Sequence, residues 1–184
     1  QRQMCIRDSY NTQLAMEEAQ HRLVLIEKEF ETIFNRSHGL VEAIQCEDAE
    51  IIMVTTGTVT ATCRQVLADL RSQGEKVGLF KLKLFRPFPA DLIGRHLKSA
   101  PKIAVIDRNI SFGAGGIFAQ EIRAALCNQD PHPQIFGYVA GLGGRDITPD
   151  TLVEIYNHAK NSPAPAKDTI WIGLNQETVD SWRN

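Results

Sequence analysis

The residues of this 184-residue chain whose types could do chemistry gather in four short stretches. They are Thr55-Thr56-Gly57-Thr58, Phe85-Arg86-Pro87-Phe88-Pro89, Asp107 through Gly116, and Gly141 through Thr148. Each of the last three carries one arginine: Arg86, Arg108 and Arg145. A guanidinium presents paired N–H donors that match a carboxylate or a phosphate. Gly113, Gly115, Gly116, Gly143 and Gly144 allow close backbone approach, and Asn109 and Ser111 add short polar side chains. Where such stretches open helices, free N–H groups and the helix dipole favour negative charge. The combination suits an anionic ligand or the acidic residues of a partner. The competing reading is internal bracing, with Arg108 paired to Asp107 or Asp146.

Sharper chemistries fail on spacing. The dinucleotide fingerprint G-x-G-x-x-G breaks at Phe118 when started from Gly113, and at Asp146 when started from Gly141. No G-K-[ST] closes a phosphate-binding loop. Asn109-Ile110-Ser111-Phe112-Gly113 approaches the nucleophile elbow G-x-S-x-G but lacks its first glycine. Asp146 and His158 follow it in hydrolase order, so a serine hydrolase using Ser111 is a remote alternative, although His158 falls within a helical pattern. The five histidines, His21, His38, His96, His132 and His158, form no H-E-x-x-H. Cys5, Cys46, Cys63 and Cys127 are scattered without a C-x-x-C pair, which argues against an iron–sulfur cluster or structural zinc. Cys63 and Cys127 read as small buried residues. The G-D-G signature of thiamine-diphosphate binding is absent.

Strands and helices must position these stretches. Ile51-Ile52-Met53-Val54, Val77–Leu84, Ile103–Ile106 and Gln134–Ala140 read as strands. Thr58–Arg71, Ala90–Leu97, Ile117–Leu126 and a helix capped by Thr148 with Pro149 at its first position read as helices. Gly74 marks a helix end. Lys81 and Lys83 alternating with Leu82 and Leu84 suggest that the second strand lies near a sheet edge. Four strand–helix repeats predict a three-layer αβα fold with a mostly parallel sheet, so all four stretches follow strands and share one edge. Ligands of such folds sit at that edge.

Ahead of this unit, Met16, Ala19, Leu23, Ile26, Phe30 and Ile33 define an amphipathic helix over Thr12–Phe34. Residues 10–40 therefore read as a connecting helix, 41–161 as the α/β domain, and 162–184 as a linker and tail in which Ile170–Leu174 forms a short strand or docking peptide. The first nine residues resemble a translated sequencing adapter rather than native protein, which predicts a longer native N-terminus. A net charge of -2 excludes an electrostatic footprint for nucleic acid, and no apolar run approaches the roughly 20 residues of a membrane span. Scattered cysteines without a signal peptide point to the cytoplasm.

Three segments carry a resemblance: Leu82 through Pro89, Asp107 through Gly113, and Ala140 through Pro149, supported by Gly39-Leu40-Val41-Glu42 and Trp171-Ile172-Gly173-Leu174. Together they resemble the α subunit of pyruvate:ferredoxin (flavodoxin) oxidoreductase, in its second, transketolase C-terminal-like domain. The resemblance implies a holoenzyme that decarboxylates pyruvate oxidatively with coenzyme A, yielding acetyl-CoA and CO2 and reducing ferredoxin or flavodoxin. It implies thiamine diphosphate, Mg2+ and [4Fe–4S] clusters in that holoenzyme, with none bound by this chain alone. It implies β, γ and δ-type subunits or fused domains as partners, and a non-catalytic role for this domain. Relatives acting on branched-chain or 2-oxoglutarate substrates share the architecture. An anion-binding module holding coenzyme A at Arg108, Arg145 and the Gly113–Gly116 turn is the second reading.

Overall fold

The buried apolar residues alternate along each central strand, and this period of two builds the layers. A computed structural model describes residues 2–167 and 169–182. Gln1, Asp168, Arg183 and Asn184, which belong to the expected leader and tail, lie outside the described residues. Six strands form one sheet: β1 (Val41–Ile44), β2 (Ile51–Thr55), β3 (Val77–Leu82), β4 (Lys102–Asp107), β5 (Gln134–Val139) and β6 (Ile170–Trp171). Their spatial order is β1-β3-β2-β4-β5-β6. Every pairing is parallel except β1 with β3.

Helices α2 (Val59–Ser72), α3 (Ala90–Leu97), α4 (Ile117–Leu126) and α5 (Pro149–Asn161) provide the crossovers. Met53, Leu79, Ala104, Phe136 and Tyr138 face one side, where they pack with the buried residues of α2 and α5. Ile52, Val54, Phe80, Val105 and Ile135 face the other, with those of α3 and α4. The expected αβα layering is therefore present, with two cores separated by the sheet.

The second strand lies near an edge, as its lysines suggest, one place in: β1 covers it, with Glu42 opposite Lys81. Glu42 also takes Arg64 at 2.5 Å and Lys83 at 3.3 Å, so the lysines meet an acidic neighbour there. Two features differ from the sequence reading. The first helix, α1 (Arg2–Phe34), begins ten residues before the expected Thr12. On it Ile26 and Ile33 are exposed, and Glu27 bonds Ser37 Oγ at 2.9 Å and the Gly39 N–H at 2.7 Å just beyond the helix end. Cys127 is exposed, not buried. The apolar face of α4 runs through Ala119, Ile122 and Leu126, and the helical period turns the next residue outward.

The C-terminal end of α5 is fixed at the edge opposite the loops of interest. Lys102 Nζ donates to the carbonyls of Ala159, Lys160 and Ser162 at 2.8–2.9 Å, answering the unsatisfied acceptors of a helix C-terminus. Glu75, leading into β3, accepts from Tyr156 Oη at 2.6 Å and from Lys160 Nζ at 2.6 Å. These bonds, from Lys160 first and Tyr156 second, hold the Glu75 carboxyl below the ordinary carboxylate range. A depressed folded-state value means that its stabilisation is present above the unfolded value, about 4.3, and is lost as pH falls through the folded one. Urea denaturation from pH 7 down to pH 3 should show the wild type losing stability relative to Glu75→Gln below about pH 4.3. Parallel curves for the two proteins would remove Glu75 from the account.

Candidate functional site

Strands β2 to β5 run parallel and end at Thr55, Leu82, Asp107 and Val139, so the four chemistry-bearing stretches meet at one edge. The Gly113–Gly116 turn is organised by a residue that the sequence reading placed only as a bracing partner. Asp107 is fully buried at the end of β4. Its Oδ1 accepts from the Phe118 N–H at 2.9 Å and its Oδ2 from the Ala119 N–H at 3.0 Å. Asn109 donates to Asp107 Oδ1 at 3.1 Å and accepts from the Ile117 N–H at 2.9 Å. The N-terminus of α4 is thus filled by the protein's own carboxylate and carboxamide. Burial pushes the Asp107 carboxyl above its ordinary value, while the two N–H groups pull the other way.

The glycines around it have distinct reasons. A Cβ on Gly116 would overlap the Asp107 carboxylate. A Cβ on Gly115, at φ +103°, would overlap Thr169 Oγ1. Gly113, Gly143 and Gly144 have positive φ and open space around them, so they serve the turn and not close packing. Between Ser111 and Gly115 the backbone forms a bridge, with N–H···O bonds of 2.8 and 3.0 Å. Phe112, at the tip, is 90% exposed.

The three arginines separate in role. Arg86 pairs with Glu121 of α4 and lies over the Phe85 ring at 4.0 Å. Arg145 donates to the Gly173 carbonyl, tying the β5–α5 loop to the segment after β6. Arg108 is exposed, with its Nε beside the space that a Gly141 Cβ would fill. Among the described residues it has neither an ion pair nor a side-chain hydrogen bond, so the expected bracing by Asp107 or Asp146 is not present.

The remaining candidates do not assemble. Tyr138 Oη lies 2.9 Å from His158 Nδ1, with Ser162 Oγ at 3.5 Å, and Ser111 is not a partner of that ring. No hydrolase triad forms. Cys46 and Cys63 are buried and separate, and burial pushes their thiols up to about 11 and about 12. Among the described residues no group of three or more His, Cys, Asp or Glu is placed to hold a metal ion. No helix among them is long and apolar enough to cross a membrane.

Two clefts line the edge near β5 and β6. One, of about 380 Å³, lies between Phe112, Gly115, Thr169 and Trp171, with Arg123 and Lys167 at its border. The other, of about 170 Å³, lies between Gly141, Leu142, Arg145, Trp171 and Leu174. Trp171 belongs to both. Sequence reasoning quoted Phe112 and Trp171 only as parts of motifs. For Phe112 the signal for exposure was its place between Ser111 and a glycine-rich run; Trp171, between Ile170 and Ile172, carried no such signal.

The molecule is an α/β domain whose strand-end polar groups are largely bonded to one another. It belongs to the pyruvate:ferredoxin oxidoreductase family: the model of that enzyme's core domain II matches residues 49–152. It is 42% identical over 169 residues to pyruvate synthase subunit PorA of Methanothermobacter thermautotrophicus, covering 92% of this chain and 42% of that protein. To the same subunit of Thermotoga maritima it is 36% identical over 162 residues, covering 88% of this chain and 41% of that protein. The chain therefore spans less than half the length of these curated relatives. In fold it is similar to a chain of the 2-oxoglutarate:ferredoxin oxidoreductase of Magnetococcus marinus, with a TM-score of 0.51 at 22% identity, over 78% of this chain and 23% of that one.

The cap at α4 yields a coupled prediction. Asp107→Ala should cost about 1–3 kcal/mol by leaving N–H groups unsatisfied, and Gly116→Ala about 1–3 kcal/mol by overpacking. Because the added methyl clashes with the carboxylate itself, the two costs should be sub-additive in denaturant titrations of the double mutant. Simple additivity would mean that the two groups do not meet.

Proposed function

We propose that this chain is a non-catalytic domain of the α subunit of a 2-oxoacid:ferredoxin oxidoreductase of the pyruvate synthase type. The holoenzyme oxidatively decarboxylates pyruvate with coenzyme A to acetyl-CoA and CO2 and reduces ferredoxin or flavodoxin. Thiamine diphosphate, Mg2+ and [4Fe–4S] clusters belong to other domains or subunits of the β, γ and δ type, and the assembly works in the cytoplasm. Residues 41–161 form the domain, residues 10–40 connect it, and residues 162–184 form its linker and tail.

The observation that carries this reading is the internal use of the edge's polar groups, in a chain whose family is known. Asp107 and Asn109 fill the start of α4, Arg86 meets Glu121, and Arg145 meets the Gly173 carbonyl. What remains at the surface is a rim suited to contact, formed by Arg108, Gly113, Gly143, Gly144 and Arg145 with Ser111 half-buried, over the buried Gly115 and Gly116. The isolated chain should fold and show no turnover with pyruvate, coenzyme A and methyl viologen. The same chain assembled with the remaining parts of the enzyme should turn over. Turnover by the chain alone would refute the reading.

One observation favours a second reading, a phosphate or coenzyme A site: Arg108 is exposed and has no ion pair among the described residues. Calorimetry separates the two. Docking predicts no heat with coenzyme A at millimolar concentration, whereas binding that Arg108→Ala abolishes would support the ligand site.

A further inference from the structure

We propose that the edge at β5 and β6 is a protein-docking surface anchored by Phe112, which seats in an apolar socket rimmed by carboxylates on another polypeptide segment of the oxidoreductase. The inference rests on the family reading above and names the chemistry of the partner.

Phe112 is the most exposed large apolar side chain among the described residues, at 90%. It is not a floppy loop residue. The Ser111–Gly115 bridge closes the turn beneath it, and the Ala114 N–H donates to the Ser111 carbonyl at 2.9 Å. The turn in turn stands on the Asp107 cap of α4. A phenyl ring held away from its own protein by a rigid turn loses little freedom on binding, which is the property of a pre-organised anchor. Aromatic and arginine side chains are the ones that dominate interface energetics.

The ring is also not isolated. Phe112 and Trp171 border one cleft, and Trp171, Leu142 and Leu174 border the next. Trp171, Leu142 and Leu174 are 44%, 37% and 49% exposed, so the strip from Phe112 to Leu174 is continuous and accessible. An accessible apolar strip rimmed by polar residues marks an interaction site.

Charge selects the occupant. Arg108 and Lys167 have no ion pair among the described residues, and Arg145 bonds only a carbonyl. Asp146 is the exposed carboxylate on the same loop and neutralises none of them. A second copy of this chain meeting the same patch across a two-fold axis would oppose these cations to themselves. A small anion would find the N–H groups of α4 already taken. A partner whose apolar socket is bordered by Asp or Glu satisfies both the strip and the cations.

The test uses the complete oxidoreductase assembled with this chain. In complex carrying Phe112→p-benzoylphenylalanine, irradiation should cross-link position 112 to a peptide outside these 184 residues. That peptide should hold apolar residues flanked by Asp or Glu. Phe112→Ser should speed loss of this domain from the complex on dilution by about tenfold or more, with Phe112→Leu close to wild type. Thermal midpoints of the isolated chains should match, because the side chain contacts little of its own fold. Arg108→Ala should flatten the salt dependence of assembly. A cross-link to loop 108–116 of a second copy, no cross-link outside the chain, or an unchanged Phe112→Ser complex would overturn the inference and leave the family reading standing. Failure of the wild-type chain to join the complex would overturn both.

Discussion

A buried carboxylate must be answered by donors, and that requirement at Asp107 organises the loop edge of this domain. The N–H groups of Phe118 and Ala119 supply the answer, so β4 and α4 are joined through a charge–dipole contact as well as through packing. The contact excludes any side chain at position 116 and recruits Asn109 to the next free N–H. With the start of α4 fixed and Gly115 pressed against Thr169, the chain leading into them closes as a tight turn bridged from Ser111 to Gly115. Phe112 is what that turn presents.

The same economy runs along the edge. Arg86 is held by Glu121 and the Phe85 ring, and Phe85 meets Phe118 edge-on at 5.0 Å. Arg145 ties the fourth loop to the segment after β6. Side chains that could recognise a ligand are instead fastening loops to one another, and rigid loops on a packed sheet make a contact surface.

Much of the fold was legible in the sequence because its signals are local. The apolar runs beginning at Ile51 and Ile103, the Thr148-Pro149 helix start and the Gly74 stop each carry their own chemistry. The Thr148 side chain does cap α5, at 3.2 Å from the Thr151 N–H. β1 was not legible. Val41-Glu42-Ala43-Ile44 is too short and mixed to announce a strand, and it exists because β3 offers it an edge. Lys81 and Lys83 announce a nearby edge but not the acidic neighbour that β1 brings to it, since Glu42 comes from elsewhere in the chain. In the site, the loops and glycines were visible by type. The division of labour was not: nothing local says that Asp107 turns inward to α4 or that Arg145 reaches a carbonyl 28 residues away. Long-range partners decide which of three similar arginines stays free.

Hydrogen–deuterium exchange on the chain alone and within the complete oxidoreductase tests the central claim most directly. The account predicts added protection on assembly at residues 110–115 and 171–174, with no change in the isolated chain when coenzyme A or pyruvate is added. Protection of those residues by coenzyme A in the isolated chain, or their unchanged exchange in the complex, would contradict it.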